Sequence, residues 1–172
     1  MKKCMLPLLF LLGILNLKAQ DAVSYQTPPK EMADLLLAKP TPFVYTDSKA
    51  EWILLADWTP YLSVSDLAMP ELRVAGLRIN PNNFAPSRQY FINNLTLKNI
   101  KSGQTFPVTG LPVVLKAGNV RWSPNEKKIS FTQTNPKSVD LYVIDVAIHK
   151  AMKINKAPLN LLLRGFTEVV IS

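Results

Sequence analysis

Few side chains in this sequence have the chemistry of an acid, a base or a metal ligand. The single histidine, His149, falls in a polar turn that follows a run rich in apolar residues. Two carboxylates, Asp140 and Asp145, lie on the same run, where they could form an acid/base pair, bind a metal or serve as structural acids at turns. Asp145 stands at a predicted strand end, which favours the structural interpretation. We predict that His149 is a solvent-exposed turn residue and not a catalytic base.

No motif in the sequence assembles a nucleophile, a base and oxyanion donors. The Gly-x-Ser-x-Gly pattern is missing, and no glycine-rich loop follows a strand ahead of a helix. No Cys, no His cluster and no carboxylate triplet has the spacing of metal ligands. We therefore predict no catalytic, cofactor-binding or metal-binding residues in this chain.

Two internal correspondences indicate a repeat. A segment that starts at residue 95 recurs 46 positions later, and the coinciding apolar pairs are Leu95/Leu141, Leu97/Val143, Ile100/Val146 and Val108/Ile154. A second correspondence, 76 positions apart, pairs Val44, Ile53 and Leu55 with Val120, Ile129 and Phe131. Repeats of roughly 40 to 50 residues, made of short alternating strands, are typical of the blades of a β-propeller. The prediction is a mainly β fold, an incomplete β-propeller of about two antiparallel blades, at about 41–115 and 116–160.

The segment 20–40 is predicted to be an arm with one short helix. Thr27 can cap the helix, Pro28 and Pro29 suit its first positions, and Lys39-Pro40 ends it. A hairpin follows, with strands at 41–45 and 52–56.

The next stretch is less regular. Residues 57–69 give no firm prediction beyond one helical turn. Residues 72–79 alternate apolar and basic side chains, which predicts a strand whose apolar side is covered if Gly76 marks a bulge.

The second unit is predicted to contain four strands. Ser123-Pro124-Asn125-Glu126 is a turn sequence, and it separates a strand ending at Trp122 from one at 129–133. The other two strands are expected at 139–146 and 152–155.

The first nineteen residues have the order of a secretory signal peptide. Two lysines precede an apolar run at 5–17, and the small residue Ala19 provides a cleavage site. A run of 13 residues is shorter than the roughly 20 that a helix needs to cross a bilayer, so we predict no stable membrane anchor. Cleavage would make Gln20 the first residue and remove Cys4, the only cysteine, which lies ahead of the run and not at a lipidation site. The predicted location is the periplasm or the exterior.

The charge of the chain does not indicate a nucleic-acid partner. The formal net charge of +8 falls to +5 when the three lysines of the signal are removed. The densest basic cluster, Lys127-Lys128, sits in a predicted turn, where solvated lysines are the ordinary interpretation.

Four stretches, in two groups, give the sequence a specific resemblance. Residues 122–131, Trp-Ser-Pro-Asn-Glu-Lys-Lys-Ile-Ser-Phe, followed by the strand at 141–146, resemble the blade pattern of the prolyl oligopeptidase family of serine peptidases. Residues 25–29 and 70–81, the latter reading Pro-Glu-Leu-Arg-Val-Ala-Gly-Leu-Arg-Ile-Asn-Pro, are similar to the N-terminal region of its secreted glutamyl-endopeptidase-like branch. The resemblance covers roughly residues 25 to 160. Asn125-Glu126 stands where the family usually has Asp-Gly.

The resemblance implies a part and not a whole enzyme. Members of the family join an N-terminal propeller to a C-terminal α/β-hydrolase domain with a Ser, Asp, His triad, and the propeller covers the active site and limits which peptides enter. This chain would be the N-terminal propeller portion, not catalytic alone, with the peptidase domain as its partner and with peptide substrates only in the full-length context.

Two further expectations follow. The residues 161–172 form an irregular tail. With nothing after the second unit, one face of that unit should be only partly covered, at Trp122, Ile129, Phe131, Tyr142 and Val143. The alternative is a free-standing β-rich binding module of the cell envelope, which would bind a partner strand along its open edges.

Overall fold

The computed structural model describes residues 26–161. The predicted signal peptide and its cleavage site, Cys4, and all of the tail except Leu161 lie outside the described residues. The chain divides into two compact parts, Met1–Ala38 and Lys39–Ser172. In the described portion of the first part, helix α1 spans Lys30–Leu36, and its N-cap is Pro29, with no side-chain capping bond. The helix was predicted, but the cap at Thr27 was wrong, because the helix begins at Lys30 and Pro29, with extended backbone, is its N-cap residue.

The second part is mainly β. Its elements, in chain order, are β1 (Phe43–Thr46), β2 (Trp52–Trp58), α2 (Val64–Leu67), β3 (Leu72–Val74), β4 (Leu77–Ile79), β5 (Ile92–Asn99), β6 (Thr105–Pro107), β7 (Ala117–Trp122), β8 (Lys128–Thr134), β9 (Val139–Asp145) and β10 (Lys150–Lys153). The single helical turn expected within 57–69 is α2, capped by Ser63, whose hydroxyl accepts a hydrogen bond from the Asp66 backbone N–H.

Eight strands form one antiparallel, open sheet that consists of two four-stranded subsheets. The first subsheet has the order β1-β2-β5-β6 and the second has the order β7-β8-β9-β10. The ladder between them is a single residue pair, Ile92 with Ala117. A parallel bridge between Thr109 and Lys150 joins them again at the fourth strands.

The two subsheets have the repeat relationship that the sequence predicted. Strands β1 and β2 correspond to β7 and β8 at the 76-residue spacing, and β5 and β6 correspond to β9 and β10 at the 46-residue spacing. The first turns are also alike: Ala50 and Glu126 occupy equivalent positions, and both have a left-handed backbone, with φ of 52° and 60°. Each donates its N–H to a carbonyl three residues earlier, on Asp47 and on Ser123.

The hydrophobic core lies between the subsheets. Side chains that pair directly across an antiparallel ladder lie on the same side of it. The inner face of the first subsheet is formed by Leu54, Ala56, Leu95 and Leu97. The inner face of the second is formed by Ile129, Phe131, Tyr142 and Ile144. These residues belong to one hydrophobic cluster, in which Tyr142 is partly buried and the others are fully buried.

This core corrects the expectation that Ile129, Phe131 and Val143 would be only partly covered. Ile129 and Phe131 are completely buried because they face the first subsheet, and Val143, on the other side of β9, is 5% exposed. The sequence could not tell which side of each unit its neighbour covers.

The segment 72–79 is a hairpin and not one bulged strand. Strands β3 and β4 pair with each other and with no other strand in the described chain. Ala75 and Gly76 form the turn with φ of 47° and 83°, the backbone of a two-residue hairpin turn. The bulge at Gly76, on which a covered apolar side depended, is not formed: Ile79 is buried, but Leu72, Val74 and Leu77 are exposed.

Candidate functional site

His149 lies in the β9–β10 turn, as predicted, but its side chain is partly buried rather than fully exposed to solvent. Its ring stacks on Phe106, with centroids 4.2 Å apart, and approaches the ring of Trp52 at 5.6 Å. Its carbonyl oxygen accepts hydrogen bonds from the backbone N–H and hydroxyl of Thr109. The residue therefore packs the second subsheet against the first.

The two aspartates of β9 have structural contacts. Asp140 is buried and accepts hydrogen bonds from the amide groups of Asn135 and Asn155, and it pairs with Lys153 at 2.9 Å. Asp145 accepts a hydrogen bond from the Ala147 backbone N–H in the following turn. In the described part of the chain, no group of three His, Cys, Asp or Glu residues could hold a metal ion.

A cavity of about 460 Å³ opens at one end of the sheet. Its walls come from α2 and its flanks, from the loop 80–91, from the end of β8, and from residues next to β7 and β8. Leu62, Met69, Phe91 and Val114 supply apolar surface, and Asn80, Asn83, Gln133 and Asn135 supply polar groups. A cavity of this size, largely apolar with a few polar groups, is the usual form of a binding site for a small ligand or a peptide side chain.

One wall of the cavity contains an ion pair. The Lys116 ammonium lies 2.5 Å from the Asp66 carboxylate and 5.6 Å from the centroid of the Phe91 ring. The hydrogen bond from Lys116, supported by one from Ser63, holds the pKa of Asp66 below its ordinary value. Asp66 is therefore ionised at neutral pH, and this pair contributes no net charge to the cavity.

Next to the cavity, three arginines surround one glutamate and form the Glu71 cluster. The Nε atoms of Arg73, Arg78 and Arg88 lie 2.9, 3.2 and 3.3 Å from the Glu71 carboxylate oxygens. The Ser87 hydroxyl donates to the same carboxylate at 2.7 Å. Ser87 and Arg88 also line the cavity, so the cluster and the cavity are contiguous.

The β3–β4 hairpin creates this cluster. Its register places Arg73 directly opposite Arg78, and like charges in that position repel each other. Glu71, with a side chain only 8% exposed, lies between them and offsets the repulsion. Hydrogen bonds from Ser87 and Arg73, together with the charges of Arg78 and Arg88, hold the pKa of Glu71 below its ordinary value.

The Glu71 cluster has the chemistry of an anion site. Three guanidiniums carry about fifteen N–H donors, whereas one carboxylate offers about four acceptor positions, of which Ser87 takes one. The cluster has an excess charge of two, and the arginine side chains remain 69%, 44% and 39% exposed. The lowered pKa of Glu71 makes its carboxylate a weak base toward the Ser87 hydroxyl that donates to it.

Sequence reasoning identified residues 70–81 as a distinctive stretch but not as a site. The available signal was the spacing of Glu71, Arg73 and Arg78 around Ala75-Gly76, which brings the arginines together only if the segment is a hairpin. Arg88 has no such signal, since the fold and not the spacing brings it to Glu71.

Comparison with known proteins finds a distant similarity. The chain matches no protein-family model. It is 27% identical over 146 residues to a protein of Oryza sativa subsp. japonica named "Probable glutamyl endopeptidase, chloroplastic", an alignment that covers 79% of this chain and 16% of that protein. It is 30% identical over 112 residues to a protein of the same name from Arabidopsis thaliana, covering 63% of this chain and 12% of that protein. Among the described residues, no helix is long and apolar enough to span a membrane. The chain is thus similar, over a small share of their length, to proteins named as peptidases.

Proposed function

We propose that this chain is the N-terminal β-propeller segment of an exported serine peptidase similar to the glutamyl endopeptidases. In that protein it would cover the active site and limit which peptides enter. The observation that carries the proposal is the similarity to the two plant proteins, which extends over 79% of the chain in the rice alignment. The chain itself would not be catalytic, and its partner would be a peptidase domain.

The architecture supports the proposal. Propeller blades are four-stranded antiparallel sheets, and both subsheets have that form. The two subsheets also pack head to tail, which means that they contact each other through different faces of the repeated unit. The face that the first subsheet turns toward the core corresponds in the repeat to the face that the second subsheet turns away from it. Leu95 and Leu97, which face the core, correspond to Leu141 and Val143, which lie on the far side of β9. A head-to-tail contact can be repeated by further units, as successive blades require.

The Glu71 cluster supports a role in substrate selection. A segment that limits access must favour some peptides over others, and exposed guanidiniums next to a cavity favour carboxylates. We propose that Arg88, which lies in both the cluster and the cavity wall, draws acidic peptide side chains toward the opening.

Peptide binding tests this role directly. A labelled peptide with one central glutamate and its glutamine counterpart would be titrated with the purified chain. We expect about tenfold tighter binding of the glutamate peptide, because a charge-assisted hydrogen bond contributes about 1.5 kcal/mol or more. Arg88→Gln should remove most of this preference. Arg121→Gln, which removes the same charge from an exposed strand position, should preserve it.

Two results would contradict the proposal. Equal affinity for the two peptides would remove the selection role, as would an equal effect of Arg88→Gln and Arg121→Gln. Hydrolysis of either peptide by the purified chain, above a vector control, would show that the chain is catalytic.

A further inference from the structure

The cavity is covered on one side by residues 61–70, the cover segment, which contains α2. Within this segment Leu62, Asp66 and Met69 are partly buried and the other residues are exposed. All three line the cavity, so they form the side of the segment that faces it. No residue of α2 is buried. The segment therefore lies over the cavity without being part of the hydrophobic core.

Asp66 is the charged group on the side of the cover segment that faces the cavity. Its carboxylate accepts a hydrogen bond of 2.5 Å from the Lys116 ammonium, 50 positions away in the chain, and one of 2.7 Å from the Ser63 hydroxyl. Lys116 directly precedes β7, so it belongs to the opposite wall. The sheet thus offers a cation to the cavity, and the cover segment places a carboxylate on it between two apolar side chains.

The buried amide side chains of the cavity wall are already hydrogen-bonded within the chain. Gln133 accepts a hydrogen bond from the Lys116 backbone N–H and donates one to the Val114 carbonyl. Asn83 donates to the Asn135 carbonyl. These groups hold the wall in place, and the Lys116 ammonium is left as the group that recognises charge inside the cavity.

We propose that the cavity binds a small organic carboxylate with an apolar body, and that Asp66 occupies the carboxylate position until such a ligand displaces it. The ligand's carboxylate would take the place of Asp66 on Lys116, and its apolar body would lie against Phe91 and Val114. A volume of about 460 Å³ is at the small end of the range for small-molecule sites. The resident group supports this chemistry, because a carboxylate flanked by the apolar side chains of the cover segment already fills the position.

This site is separate from the surfaces that would meet a neighbouring domain or blade. Every residue of the cavity wall lies between positions 62 and 136 of the sequence. The proposal is also independent of the peptidase proposal, since it depends on the contact between Asp66 and Lys116 and not on the attraction of peptides by Arg88.

Substitutions of the ion pair test the displacement. Asp66→Asn removes the competing charge and keeps an oxygen that can accept the hydrogen bond from Ser63. Asp145→Asn removes the same charge at the end of β9 that is distant from the cavity, and it is the matched control. Lys116→Gln removes the cation, and Lys116→Arg keeps it. Circular dichroism would confirm that all four variants are folded.

Phenylbutyrate and its neutral amide, phenylbutyramide, would be titrated into the isotope-labelled chain, and amide chemical shifts would give both the affinity and the position of binding. We expect Asp66→Asn to bind phenylbutyrate about tenfold more tightly than the wild type and Asp145→Asn do, because no charge-assisted hydrogen bond has to be broken first. Its affinity for the amide should be unchanged. Lys116→Gln should lose the preference for the carboxylate, and Lys116→Arg should retain it. The largest shifts should fall on residues that line the cavity.

Three results would overturn the proposal. The first is Asp66→Asn that binds phenylbutyrate no more tightly than Asp145→Asn. The second is an equal gain for phenylbutyrate and its amide, which would make Asp66 a latch of the cover segment and not a competitor. The third is a preference for the carboxylate that survives Lys116→Gln. Tighter binding of a peptide that ends in phenylalanine than of phenylbutyrate would assign the cavity to peptide termini instead.

Discussion

The same residue at equivalent positions of the two subsheets offers a controlled test of the core. Ile53 and Ile129 occupy the same place in the repeat, yet Ile129 is completely buried between the subsheets and Ile53 is partly exposed on the outer face. Replacing each with alanine removes the same atoms. The difference between the two effects therefore measures what the packing of one subsheet on the other contributes.

The structure sets the size of each effect. Ile129→Ala loses the transfer free energy of three buried carbons and leaves a cavity in the core between the subsheets, so the free energy of unfolding should fall by about 3 kcal/mol, within the usual range of 2 to 5. Ile53→Ala loses part of the transfer term and leaves no enclosed cavity, so its cost should be about 1 kcal/mol. We expect a difference of about 2 kcal/mol.

Urea unfolding, followed by circular dichroism and tryptophan fluorescence, would give both values by linear extrapolation. If Ile129→Ala does not fold, Ile129→Val and Ile53→Val keep the comparison measurable, with about 1 kcal/mol expected for the first and a few tenths for the second. Equal losses at the two sites, or a larger loss at Ile53, would refute the packing of the subsheets described here.

Two further predictions concern the turns. Gly110→Ala should lower the free energy of unfolding, measured in urea, more than Gly103→Ala does. Both glycines have positive φ, but a Cβ at Gly110 would collide with the Ala151 carbonyl, whereas a Cβ at Gly103 would meet open space. Equal effects of the two substitutions would contradict the close approach of the subsheets at Gly110. Glu126 accepts hydrogen bonds from Ser48, which lower the pKa of its carboxyl in the folded protein. The contact therefore stabilises the fold at pH values above the unfolded-state pKa of about 4.3. This stabilisation is lost as the pH falls through the lower pKa of the folded state. Unfolding measured from about pH 6 to pH 3 should therefore show a shallower loss of stability in Glu126→Gln than in the wild type, and parallel curves would contradict the contact.

The repeat was accessible to sequence reasoning because both of its determinants are local. Alternating apolar residues and polar turns specify strands, and the spacings of 46 and 76 residues correctly matched the strands of the two subsheets. The equivalence reaches the backbone of the first turns, where Glu126 adopts the left-handed conformation that glycine favours.

The features that could not be predicted from the sequence depend on contacts between residues that are far apart in the chain. Ile53 and Ile129 look alike in sequence, and only the neighbouring subsheet makes one of them core. His149 has the composition of an exposed turn around it, but Phe106, 43 positions earlier, covers its ring. The hairpin at Ala75-Gly76 was missed because alanine rarely adopts the positive φ that this turn requires, and the Glu71 cluster was missed with it.

A chimera tests most directly the claim that the chain limits access to a peptidase site. In the rice protein, the stretch that aligns with this chain would be replaced by residues of this chain, with a deletion of that stretch as the control. Hydrolysis of a short glutamyl peptide and of an unfolded protein substrate would be compared as kcat/KM. We predict that the chimera cleaves the short peptide and discriminates against the protein, and that the deletion variant, if folded, loses this discrimination. A folded chimera that cleaves both substrates in the same ratio as the deletion variant would contradict the proposed function.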